Sequence, residues 1–264
     1  MIKIGYRLNL NLGDLLNFPI FHYYLEDKQF LIISLEYLKK EKEIYLGIGT
    51  LPDLHLPYDW FRDKQVTLLG TGTRYFDQKW TGLNLRGFTR GKLSEQKLGL
   101  PGLGDLGLLA DRVFGRTDLK TDVTLAEFDH LIMTNHQLPQ MDLPNIKLIS
   151  TVRSIVTIGT MGIYKLIHTS RYVVTDRLHF AVLAEASEVP WVIYDHGEGG
   201  LTAVPQKFID WASTIGKEKF VVTKPEDIGI VIENTDFEQS ARQKDILEKA
   251  LYEATAEKIN ANIS

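Results

Sequence analysis

Short apolar runs alternate with helix-length segments along the whole chain, and this alternation constrains the fold more than any other feature. Runs of strand length occupy residues 1–7, 30–35, 44–48, 66–69 and 83–85, then 128–134, 146–149, 172–175, 191–194 and 220–223. Between them, residues 14–26, 89–98, 151–168, 177–188, 205–213 and 225–233 carry helical signals, with Gly99 reading as the C-cap of the second. Residues 236–262 read as a long polar helix with Ile246, Leu247, Ala250, Leu251 and Ala254 on one side. Strand–helix alternation builds βαβ units, and βαβ units build parallel sheets. Five strands precede the polar stretch 115–122 and five follow it. The expected architecture is therefore α/β, with two parallel-sheet halves and a ligand cleft at the carboxyl ends of their strands.

Composition narrows the chemistry. The 264 residues carry 30 basic and 34 acidic side chains, so no basic surface for nucleic acid is expected. Cysteine is absent, which excludes disulfides, thiolate zinc sites, iron–sulfur clusters and cysteine nucleophiles. No run of about 18 apolar residues exists to span a membrane, and the first residues lack a signal-peptide pattern, so a cytoplasmic location is expected. The seven histidines are scattered, and no P-loop, Gly-x-Ser-x-Gly, His-Glu-x-x-His or Asp-x-Asp is found. Neither a metal nor a cofactor is expected.

Several turns stand where a cleft would form. Gly47-x-Gly49-Thr50 and Gly70-Thr71-Gly72-Thr73 each follow a strand, and such turns let backbone N–H groups approach an anion or a sugar. Asn11-Leu12-Gly13-Asp14 opens the first helix; Asp14 reads either as its N-cap or as a base facing the cleft. Thr175-Asp176-Arg177-Leu178-His179 passes directly from strand to helix. It puts Arg177 and His179 in a first helical turn, where N–H groups and the dipole favour anions. Arg86-Gly87 reads as the end of another strand, and His136 follows a further one. Gly102-x-Gly104-x-x-Gly107 matches a dinucleotide fingerprint formally, but a helix end precedes it where a strand is required, so it reads as a glycine-rich turn.

Taken in order, these pieces resemble the polysaccharide pyruvyl transferase family, nearest to the ketal-forming exopolysaccharide transferases of the succinoglycan type. The matching residues are Asn11-Leu12-Gly13-Asp14 with Asn17, Tyr45-Leu46-Gly47-Ile48-Gly49-Thr50, Leu69-Gly70-Thr71-Gly72, Leu85-Arg86-Gly87, Leu98-Gly99-Leu100, Gly104-Asp105 and Thr175-Asp176-Arg177-Leu178-His179 through Pro190. Phe180, Gly104-Asp105-Leu106-Gly107 and Asn135-His136 depart from the family pattern.

The resemblance implies a GT-B-like fold: Rossmann-like lobes over residues 1–115 (acceptor side) and 126–235 (donor side), then a C-terminal helix over 236–264. It implies transfer of pyruvate from phosphoenolpyruvate onto two hydroxyls of a surface-polysaccharide sugar, forming a cyclic ketal. The acceptor would be a glycan, free or lipid-linked, and compatible with peripheral association at a membrane. Arg177 and Arg86 would bind the donor; Gly13, Asn17, Gly49, Thr50 and Gly72 would line the substrate site; Asp14, His179 and His136 would be catalytic. A GT-B glycosyltransferase using a nucleotide sugar, or a non-catalytic sugar- or anion-binding relative, are the alternatives.

Overall fold

The computed structural model describes residues 2–6, 11–25, 30–49, 61–73, 82–115, 128–133, 146–149, 151–194, 206–224 and 226–260. Strands β1 (Ile2–Tyr6), β2 (Phe30–Ser34), β3 (Glu43–Leu46), β4 (Gln65–Thr71) and β5 (Asn84–Thr89) form one sheet in the order β2-β1-β3-β4-β5. Strands β6 (Phe128–Met133), β7 (Ile146–Ile149), β8 (Ser170–Thr175), β9 (Trp191–Tyr194) and β10 (Val221–Val222) form a second, in the order β10-β9-β8-β6-β7. All neighbouring pairs are parallel. Counted from its own first strand, each sheet has the doubly wound order 2-1-3-4-5. The winding direction reverses between β1 and β3, and again between β6 and β8. In this topology the carboxyl ends of the strands at each reversal are where a ligand crevice is expected. The α/β architecture with two parallel sheets is thus the one that strand–helix alternation requires.

The helices are α1 (Leu12–Tyr24), α2 (Lys92–Leu98), α3 (Ala110–Phe114), α4 (Thr151–His168), α5 (Leu178–Ala186), α6 (Gln206–Ala212), α7 (Asp227–Glu233) and α8 (Glu238–Asn260). Alternation along β4 shows how the first sheet is covered on both faces. Val66 and Leu68 join Leu38, Ile44 and Phe61 on one side, while Leu69 joins the main core on the other. That main core is continuous across both halves: it holds Ile4, Leu16 and Leu109 of the first and Val182, Trp191 and Phe208 of the second. Helix α8 returns to the first sheet and packs against β1, β4 and β5, inserting Leu247 and Leu251. Its Lys244 Nζ donates to Asp111 Oδ2 at 2.7 Å and to Ala186 O at 3.0 Å, tying the two halves together. The stretch 116–127, where the linker is expected, lies outside the described residues.

Several boundaries differ from expectation, and those near Arg86 and Arg177 bear on the site. β5 does not stop at Arg86-Gly87 but continues to Thr89, and α2 starts at Lys92. Gly87 has φ +85°, and Leu68 O of the neighbouring strand fills the space that a Cβ would need. The glycine therefore marks a close strand–strand approach rather than a strand end. Helix α5 starts at Leu178, leaving Arg177 as an extended N-cap (φ −120°, ψ 122°).

Behind β5, the halves meet at Gly91. A Cβ there would fall on the backbone carbonyl of Asp210 in α6. Its φ of −169° is ordinary extended backbone, so the need for glycine is purely steric. Gly91→Ala should lower unfolding free energy by about 1–3 kcal/mol or more, as over-packing does. Gly99→Ala, where φ is +71° and nothing lies within 4 Å, should cost only the roughly 1 kcal/mol of a left-handed alanine. Chemical denaturation of both variants checks this; equal losses would contradict the steric account.

Candidate functional site

The two crevices face each other, and their residues touch. Asn11 caps α1, its side chain accepting from Gly13 N at 3.1 Å. The cap is therefore Asn11, and Asp14 is a buried residue within the first turn of the helix. Asp14 Oδ1 lies 3.3 Å from where a Cβ of Gly49 would be, so the acid sits against the turn after β3. On the opposite side, the imidazole of His179 occupies the space where a Cβ of Gly13 would stand. The first turn of α1 and the first turn of α5 thus pack face to face, and only glycine at position 13 permits it.

A third segment completes the cluster. Asp105 is fully buried; its Oδ1 accepts from Gly107 N at 2.9 Å and caps the single turn Leu106–Leu109. Its Oδ2 lies 3.4 Å from His179 Nε2. The carboxylate comes from the first half of the chain and the imidazole from the second. The sequence marks Asp105 only as part of the Gly104-Asp105 match and gives it no role, because Gly-Asp-Leu-Gly looks like an ordinary turn. The available signal was the acid of that motif.

Arg177 holds the remaining charge. Its N–H donates to Thr175 Oγ1 at 3.0 Å, and its Nε lies 3.4 Å from Asp176 Oδ1. Burial pushes its guanidinium pKa below the usual value, with the nearby Asp176 carboxylate opposing. The side chain keeps 21% exposure, so it is partly desolvated yet reachable by a ligand. Because Arg177 precedes the helix proper, it is not forced to the opposite side of α5 from His179.

Other expected site residues have different positions. Arg86 lies in the middle of β5, opposite Thr67, and is exposed. It lines a cavity of about 330 Å³ with Glu43, Gln65, Ala250 and Glu253, between the sheet and α8. It stands three residues before the end of β5, roughly 10 Å along the strand from the crevice. The arginine at the strand end is Arg90. It is fully buried, its Nη2 donates to Thr73 O at 3.0 Å, its Nε lies 3.5 Å from Asp210 Oδ2, and the guanidinium fills the space above Gly72. Gly72 N in turn donates to Gly49 O at 3.2 Å. These glycines thus shape the floor of the crevice, and the N–H of Gly72 is engaged within it.

Asn17 is a strut rather than the ligand contact that the resemblance implies. It is fully buried, its Oδ1 accepts from Ile48 N at 2.8 Å, and its Nδ2 donates to Ile48 O and Asp14 O, each at 3.0 Å. It locks α1 to the turn after β3. Thr50 and His136 lie outside the described residues. Gly102 pairs with Thr89 in an isolated parallel bridge at the end of β5. Among the described residues, no group of three or more His, Cys, Asp or Glu is arranged to hold a metal ion, and no helix is long and apolar enough to cross a membrane.

No protein-family model matches the chain, and no curated protein matches it. Among solved structures, a functionally uncharacterised protein from Klebsiella pneumoniae is similar at 15% identity and a TM-score of 0.45, over 84% of this chain and 93% of that one.

The strut role of Asn17 has a measurable consequence. Asn17→Ala leaves the buried N–H of Ile48 without its acceptor and should lower unfolding free energy by about 1–3 kcal/mol. Chemical denaturation checks it. A variant of unchanged stability would contradict the strut role.

Proposed function

We propose that the chain is a phosphoenolpyruvate-dependent ketal-pyruvyl transferase of GT-B-like architecture, acting on a sugar of a polysaccharide precursor. The observation that carries this reading is the contact of His179 with Gly13 across the two crevices. It sets a partly desolvated arginine and a histidine on one side, and a buried carboxylate, Asp14, on the other. The ordered likeness to the pyruvyl transferase motifs supports it.

The chemistry uses these groups in distinct roles. Phosphoenolpyruvate carries a carboxylate and a phosphate, and Arg177 at the start of α5 is suited to an anion. Protonation of the methylene carbon makes C2 electrophilic, and a sugar hydroxyl adds there. Phosphate leaves, and a second hydroxyl closes the ketal. Two hydroxyl protons are released; one balances the proton gained at the methylene and the other departs with the phosphate. His179 is placed to hydrogen-bond the donor or move a proton to it, while Asp14 is placed to take hydroxyl protons of the acceptor. In this reading Arg177 carries the donor's charge without Arg86, which lines the cavity between the first sheet and α8.

Phosphate release from phosphoenolpyruvate, measured across a panel of glycan acceptors, tests the reading. Acceptor-dependent release supports it; cleavage of nucleotide sugars, or binding of phosphoenolpyruvate without turnover, contradicts it. Arg177→Ala should weaken donor binding by at least tenfold, whereas Arg86→Ala should leave it within about threefold. Asp14→Asn should spare donor affinity and lower turnover by roughly 10²–10⁴-fold.

A further inference from the structure

Asp105 is fixed by the chain around it without help from a ligand. Leu103 N and Gly104 N both donate to Thr89 O, at 3.0 and 3.2 Å, and Gly104 takes φ +129°. Leu247 of α8 packs against Gly104. Within this frame the two carboxylate oxygens have different surroundings. Oδ1 receives the Gly107 N–H, while Oδ2 is buried and lacks any hydrogen-bond donor nearer than His179 Nε2, itself buried and otherwise unpartnered. A buried carboxylate oxygen facing a buried imidazole nitrogen is favourable only when that nitrogen carries hydrogen. The ring has little other freedom, since it occupies the space that a Cβ of Gly13 would need.

We infer that Asp105 is the positioning residue of His179: its Oδ2 holds the imidazole in the Nε2–H tautomer and makes Nδ1 the nitrogen presented to the ligand. The assignment of the tautomer rests on geometry alone. The consequence for turnover rests on the pyruvyl-transferase reading above. The arrangement links the lobes chemically, because the acid comes from the lobe that would hold the acceptor and the imidazole from the one that would hold the donor.

Asp105→Asn tests this directly. The amide oxygen must keep the Gly107 N–H, because the amide nitrogen cannot accept it. The amide NH₂ then faces Nε2 and forces the ring into the Nδ1–H tautomer. The same exchange of Asp for Asn in serine-protease triads installs the wrong tautomer and costs about 10⁴-fold in turnover. Two-bond ¹H–¹⁵N spectra of histidine-labelled protein report the tautomer, with His179→Gln assigning the signal. Wild type should show hydrogen on Nε2 and Asp105→Asn hydrogen on Nδ1. Turnover should fall by roughly 10²–10⁴-fold while donor affinity changes only a few-fold. Hydrogen on Nδ1 in wild type, or the same tautomer in both proteins, overturns the inference, and the wild-type spectrum decides even if the variant fails to fold. A switched tautomer with unchanged turnover overturns the positioning role. A switched tautomer in a protein that never consumes phosphoenolpyruvate leaves the pair standing and removes the pyruvyl-transferase reading instead.

Discussion

The imidazole of His179 lies where residue 13 would carry a side chain, and the rest of the site is arranged around that contact. It requires α1 and α5 to meet at their first turns. It therefore requires the two sheets to point their carboxyl ends at each other. A methyl group on Gly13 would separate the lobes or expel the ring. The approach also buries His179 Nε2, and a short turn capped by Asp105 brings that acid's Oδ2 to within 3.4 Å of it. Asn17 holds α1 against the turn after β3 from behind, so the first turn of that helix cannot swing away from α5.

Helix α8 maintains this arrangement at a distance from the chemistry. Glu185, at the far end of α5, is fully buried and accepts from Lys217 Nζ at 2.7 Å through both oxygens, from Trp191 and from Ser240 of α8. Lys244 of the same helix reaches both Asp111 and the last turn of α5. Gln243 bonds Leu103 O, two residues before Asp105. Buried ion pairs of this kind contribute little net stability, but removing one partner leaves an uncompensated charge. Their effect is to specify one placement of α5 against the 103–111 segment. The same placement sets the His179–Asp105 separation.

Much of this was legible in the amino-acid order, for physical reasons. Parallel strands buried on both faces must be apolar runs, so Ile4, Val66, Val174 and Trp191 announced their strands without ambiguity. The crevice residues Gly13, Asp14, Gly49, Arg177 and His179 were legible because each follows such a run. Arg86 was misplaced because a glycine next to it looks like a stop; in fact Gly87 accommodates the carbonyl of Leu68 within the sheet. Asp14 looked like a cap because the cap, Asn11, is an equally good one three residues earlier. The roles of Asp105 and Arg90 were not legible, because their partners, His179 and Asp210, belong to the other half of the chain. Local pattern cannot report contacts made by tertiary packing.

The central claim is that the ligand sits where the two crevices meet. A crystal structure of the protein soaked or co-crystallised with phosphoenolpyruvate measures this most directly. The account predicts an anionic group of the donor on Arg177, the donor within hydrogen-bond reach of His179 Nδ1, and no ligand beside Arg86. Phosphoenolpyruvate bound in the cavity between the first sheet and α8, with Arg177 still paired only to Asp176, would contradict it.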